Sequence, residues 1–189
     1  MRNNPELPDG LKRCVEFHGH LCPGLVVGYC AATLGMQRLA ADRSKDEELI
    51  AIVENDSCAV DAVQVLSGCT FGKGNLFFLD YGKMVFTFAV RSTGKSVRLC
   101  YQPLAPTDIE GLPEDQRHSR QIEFMLAQPV ERFFTIRQGT RSPLPEVARI
   151  HQNIPCDGCG EMVMASRIRT SGARKLCVPC ANEAGDRFQ

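Results

Sequence analysis

CDGCGEMVMASRIRTSGARKLCVPC, residues 156–180, has the form C-x2-C-x17-C-x2-C, a spacing suited to a four-cysteine zinc site. Each CxxC places two thiolates on one tight turn. Four thiolates fill a tetrahedral shell and leave no open position for water, so Cys156, Cys159, Cys177 and Cys180 are expected to hold one structural zinc ion. Between the two pairs, Met162–Ile168 and Arg174–Leu176 are expected to form a hairpin across Thr170-Ser171-Gly172, with a terminal helix starting at Cys180. That order suggests a treble-clef or zinc-ribbon unit. A unit this small buries little apolar surface, so the metal would supply much of its folding energy.

Working back from the finger, TRSPLPEVARIHQNIP contains three prolines and reads as a linker. The division expected is a core over residues 1–140, a linker over 141–152 and the finger over 153–189. The core pattern is α+β, with helices packed on a mainly antiparallel sheet. An amphipathic helix is expected after Pro8-Asp9-Gly10, stopping near Gly19. Pro23 then opens a second helix to about Ala41. Gly24, Gly28, Ala31, Ala32 and Gly35 keep one side of it small, which implies close packing, because an interior glycine costs about 1 kcal/mol relative to alanine. LIAIVE reads as a buried strand, and Asn55-Asp56-Ser57 offers the start of the helix CAVDAVQVLSG. LFFLDY and MVFTFAVR, joined by Gly82-Lys83, are expected to pair as a hairpin, followed by the strand SVRLCYQP. EDQRHSRQIEFMLAQ reads as a helix ending before Pro129, and VERFFTIRQ as a short apolar segment of open type.

The 22 basic residues balance the 22 acidic ones, which removes any bulk electrostatic case for nucleic acid or a membrane surface. Arg167, Arg169, Arg174 and Lys175 do cluster on the finger. No aromatic residues interleave with them to stack bases, so nucleic acid is not the expected partner. The most apolar run, Leu21 to Leu34, is broken by Pro23, Gly24 and Gly28 and falls short of the roughly 20 residues a membrane span needs. No secretory signal follows Arg2, and a cytoplasmic location is the expectation. In a reducing compartment the ten cysteines read as ligands or reactive thiols rather than disulfides.

Chemistry concentrates in HGHLCPG (residues 18–24), ENDSCAVD (54–61) and GCTFGKGN (68–75). His18, His20 and Cys22 can converge on one point across a glycine-permitted turn, and imidazole with thiolate is an ordinary ligand set for zinc or a similar ion. Cys58 falls at the start of a helix, where the macrodipole is expected to lower its pKa, making it a ligand or a nucleophile. The glycine-lysine loop lacks the G-x4-G-K-[ST] pattern and precedes a strand, so it is no triphosphate cradle. An anion site using Lys73 stays open. Cys14, Cys30 and Cys100 read as small core residues.

HGHLCPG, CAVDAVQVLSGCTFGKGN and LDYGK, with the tail elements CDGCGE and LCVPC, resemble the FmdE family of formylmethanofuran dehydrogenase proteins. Covering Leu11 to Arg98 and Cys156 to Cys180, the resemblance implies an α+β core, a treble-clef-like finger and often a homodimer. It also implies a metal or active site at His18, His20, Cys22 and Cys58, with Asp61, Cys69 and Lys73 nearby as cofactor-binding candidates. Three functional readings follow. One is a metal-binding accessory or redox-associated partner of a molybdenum- or tungsten-dependent C1 or formate-type dehydrogenase, with structural zinc in the finger and a second transition-metal ion in the core. The second is an enzyme in its own right, with Cys58 or Cys22 as nucleophile and His18 or His20 as base. The third is a zinc-ribbon module that docks on protein or nucleic acid.

Overall fold

Five consecutive residues, Leu49–Val53 (β1), are buried without interruption, the pattern of a strand covered on both faces and paired on both edges. Its environment was established in a computed structural model that describes residues 7–107 and 109–186. Two helices precede it: α1 (Asp9–His18) and α2 (Pro23–Leu39). After it come α3 (Ala59–Ser67), β2 (Leu76–Phe78), β3 (Val85–Val90), β4 (Lys95–Tyr101), α4 (Glu114–Ala127), a 3-10 turn at Val130–Phe133 and β5 (Phe134–Thr140). The strands form one sheet in the order β2-β1-β3-β4-β5, antiparallel except for the parallel β1–β2 pair.

The expected hairpin between LFFLDY and MVFTFAVR does not form. β2 and β3 lie on opposite edges of β1, and the connection crosses its carboxyl end: Leu79 N–H donates to the Val53 carbonyl and Lys83 N–H to that of Glu54, both at 2.9 Å or less. The physical reason lies in β1. An all-apolar strand with an unpaired edge would leave buried backbone amides without partners, so it separates two segments whose local sequence favours direct pairing. The β3–β4 hairpin forms as expected, with Phe86 opposite Leu99 and Phe88 opposite Val97. The segment of open type, VERFFTIRQ, becomes the 3-10 turn and β5.

The core unites Leu11 and Cys14 of α1, Leu25, Val26 and Leu34 of α2, Ala59 and Val63 of α3 and Met125 of α4 with Phe86, Phe88 and Leu99 of the sheet. Small residues on α2 permit this. A Cβ at Gly28 would stand 2.1 Å from the Ala59 carbonyl oxygen, so α2 and α3 touch backbone to backbone.

The chain divides into two units, Met1–Ala148 and Arg149–Gln189. Residues 141–148, which composition assigns to a linker, are tied to the first unit. Arg91 donates to the Pro145 carbonyl at 2.7 Å, and the Ala148 amide donates to the Glu47 carboxylate at 3.1 Å.

In the second unit β6 (Asn153–Pro155) pairs with β7 (Met162–Met164), and β8 (Arg169–Ser171) with β9 (Arg174–Leu176), before α5 (Val178–Asp186). The expected hairpin between Met162–Ile168 and Arg174–Leu176 therefore splits. The front half of that run pairs upstream, across the first CxxC turn, while β8 and β9 pair across the turn at Gly172. Among the described residues no helix is long and apolar enough to cross a membrane.

Candidate metal centres

In the finger, one Sγ from each of Cys156, Cys159, Cys177 and Cys180 lies within 4.8 Å of the others. The folded backbone already treats these sulfurs as acceptors. Gly158 N–H and Cys177 N–H donate to Cys156 Sγ at 3.3 and 3.2 Å, and Cys180 N–H donates to Cys177 Sγ at 3.4 Å. Amide donors from Cys177, Cys159 and Gly158 lower the Cys156 thiol to about 6, the direction that presents a thiolate to a metal. Gly158 is required here, since a Cβ would approach Cys180 Sγ to 2.9 Å. The donor set, its closure and its N–H···S bonds fit a structural zinc ion.

The core centre begins at the end of α1. Gly19 takes φ +94, a left-handed conformation open to glycine, and the chain reverses so that His18 and His20 stack with ring centroids 4.5 Å apart. Cys22 caps α2, its Sγ accepting the Leu25 amide at 3.3 Å. The ligand atoms of His18, His20 and Cys22 all fall within 4.8 Å of one another. Both histidines therefore reach the site, which sequence spacing leaves undecided.

Asp61, on the first turn of α3, approaches His18 Nδ1 with its Oδ2 at 2.7 Å. A carboxylate accepts only, so Nδ1 carries the proton and Nε2 is turned toward Cys22 Sγ, 3.9 Å away. A carboxylate behind the far nitrogen of a histidine is the usual support of a metal-ligating imidazole.

Cys58, the residue before α3, lies beside this group but outside the set whose ligand atoms all fall within 4.8 Å of one another. Gly24 makes room for it: a Cβ there would lie 3.3 Å from Cys58 Cβ and 4.0 Å from Cys22 Sγ. The expected lowering of its pKa is not found. Burial, then the neighbouring Cys22 thiol and the charge of Asp61, push the Cys58 thiol up. Cys58 itself has helical dihedrals and no side-chain cap bond, and here desolvation and like charge outweigh the helix dipole.

Two expected site residues are not brought here. Cys69 is fully buried and donates to the Leu49 carbonyl at the opposite end of β1, its thiol raised by burial to about 11. Lys73 donates to the carbonyls of Ser44 and Lys45 at 3.0 and 3.4 Å, so its ammonium staples a loop and is not presented to an anion. Cys14 and Cys30 are core residues as expected, while Cys100 is half-buried.

Beside the centre lies a cleft of about 420 Å³, with His18, Cys58 and Asp61 in its lining. Its other lining residues include Asn55 and Phe71, which lie in stretches singled out above but are not among the candidate site residues, and Gln64 and Phe78. The available signal was Phe71, a lone aromatic in a glycine-lysine loop.

Residues 17–137 match the family described as FmdE, Molybdenum formylmethanofuran dehydrogenase operon. The chain belongs to the FmdE family. That match takes in His18, His20, Cys22, Cys58 and Asp61, and a second one, the prokaryotic dksA/traR C4-type zinc finger, spans residues 151–184 and all four finger cysteines. Similar proteins include a probable S-adenosyl-L-methionine-binding protein of Archaeoglobus fulgidus, 30% identical over 90% of this chain. The chain spans about half the length of that relative, 52% of it. A tungsten formylmethanofuran dehydrogenase FmdE-like protein from Syntrophus aciditrophicus, known from its crystal structure, shares the fold. It has a TM-score of 0.67 and 23% identity, with 92% of this chain and 91% of that one covered. The FmdE-family core is thus followed by a four-cysteine zinc finger in one mixed α+β chain.

Proposed function

We propose that this FmdE-family chain is a metal-binding accessory protein whose core holds a transition-metal ion through His18, His20 and Cys22, with Cys58 beside them. Its client would be a molybdenum- or tungsten-dependent dehydrogenase acting on C1 or formate-type substrates. The observation that carries the metal reading is the convergence of His18, His20 and Cys22 within 4.8 Å, with Asp61 committing His18 Nδ1 so that Nε2 faces the others. Mixed nitrogen and sulfur donors suit zinc and neighbouring transition ions. A bound ion would supply a Lewis-acidic centre at the edge of an open cleft. The family's operon description supports the choice of client. A free-standing thiol enzyme has less support, because a nucleophilic cysteine needs a lowered pKa and that of Cys58 is raised.

Metal analysis of anaerobically purified protein tests the reading. Two ions per chain are expected, and a Cys156→Ser/Cys159→Ser variant should keep one of them. His18→Ala or Cys22→Ala should lose the core ion, and Asp61→Asn should weaken it by roughly 10–100-fold with the fold intact. A single ion per chain that disappears with the finger cysteines would defeat the core site. Co-purification with a molybdenum or tungsten dehydrogenase under native conditions addresses the client, and its absence when both are co-expressed counts against that role.

A further inference from the structure

Phe71 and Phe78 retain 65% and 39% of their surface in solvent, and both line the cleft beside the core centre. Single exposed apolar residues are common. Two rings on one cleft, with Val53 and Val60 also in its lining, make an apolar surface for a planar group.

The polar lining is one-sided in charge. Asp56 and Asp61 contribute carboxylates, and among the described residues no lysine or arginine lines the cleft. The two lysines closest in sequence are engaged elsewhere: Lys73 on the Ser44 and Lys45 carbonyls, and Lys83 over the Tyr81 ring at 5.7 Å. Asn55 is occupied at both ends, donating to the Lys83 carbonyl and accepting from Ser57, so it shapes the wall. A divalent ion held by His18, His20 and a Cys22 thiolate would keep about one positive charge, fewer than the two carboxylates that line the cleft, so it would not reverse this balance.

We propose that this cleft binds a flat organic cation, its ring against Phe71 and Phe78 and its positive charge toward Asp56 and Asp61. Aromatic faces and carboxylates both attract cations and gain strength where water is partly excluded. The proposal goes beyond the metal-binding reading. It shares His18, Cys58 and Asp61 with that centre, but its charge argument holds with the ion or without it.

The test uses the full chain and two matched probes, 1-methylquinolinium and quinoline, which is uncharged at neutral pH. Binding is followed by calorimetry or ligand NMR, with metal content measured on the same samples. The cation is expected to bind at least about fivefold more tightly than the neutral ring, and added salt should narrow that gap. Asp56→Asn should remove most of the preference, while Phe71→Ala should weaken both probes. Neither residue belongs to the proposed metal ligands, so the metal content of both variants should match the parent. Equal binding of the two probes, a preference for benzoate over either, or unchanged binding in Asp56→Asn and Phe71→Ala would overturn the proposal. A core that lacks an ion yet prefers the cation would support it while defeating the metal reading.

Discussion

Replacing Gly28 with alanine tests the packing that brings the core centre together. An ideal Cβ at this position would lie 2.1 Å from the Ala59 oxygen, 2.6 Å from its Cα and 2.7 Å from its carbonyl carbon. It falls short of ordinary carbon–oxygen contact by about 1.3 Å, and the obstacle is backbone on a helix, which cannot rotate away as a side chain can. Overpacking of this kind costs about 1–3 kcal/mol, and the upper end applies because α2 and α3 must separate along their length. Helix propensity returns about 1 kcal/mol, leaving a net loss of about 2 kcal/mol. For a unit of this size that corresponds to a fall in Tm of about 4–8 °C, read by far-UV circular dichroism in saturating zinc. Gly139→Ala, where a Cβ meets nothing within 4 Å, is the control. Because Ala59 follows Cys58 directly, the same displacement should loosen the core ion. A Tm equal to or above the parent's, as propensity alone would give, would refute the backbone contact between α2 and α3.

Two other outcomes follow from the geometry. Glu48 accepts from Ser44 Oγ at 2.7 Å and from the Asp46 amide at 2.9 Å, which lowers its pKa from 4.5 to about 2. A depressed acid stabilises above its unfolded pKa and loses that contribution as pH falls toward the folded one. The Tm advantage of the parent over Glu48→Gln should therefore be full above pH 4.5 and close as the pH falls toward 2; an advantage independent of pH would contradict the assignment. Chelation of zinc should expose the finger to trypsin at Arg167, Arg169, Arg174 and Lys175 at least about tenfold faster while the sheet keeps its dichroism. Cleavage unaffected by the chelator would show that the ion does not hold this unit.

The legible part of the site was the part encoded in short stretches of chain. HGHLC carries three donors over five residues, and a glycine at position 19 is enough to read a reversal. Asp61 could be placed near this group by family resemblance, but its hydrogen bond to His18 Nδ1 spans 43 positions and has no local signature. The opposite error occurred at Cys69 and Lys73. Their glycine-rich loop has the composition of a ligand cradle, yet Cys69 is consumed by the core and Lys73 by backbone carbonyls. Cys58 was placed correctly at the start of α3, while its pKa moved the other way, because the helix end is visible in sequence and the neighbouring Cys22 and Asp61 are not.

Periodicity, caps and cysteine spacing, all properties of near neighbours, determined the helices, the buried character of β1 and the closure of the finger around four thiols. Pairing was decided only in three dimensions. Segments that look like a hairpin, Leu76–Tyr81 and Met84–Arg91, were divided by β1, since a strand apolar on both faces must satisfy both of its hydrogen-bonding edges. Within the finger the first CxxC turn likewise paired β6 with β7, partners that β propensity does not rank. The four-cysteine motif thus sufficed to read one metal centre from sequence. The other required α1, α2 and α3 to meet, and Gly24 and Gly28 allow that meeting because they have no side chains to keep the helices apart.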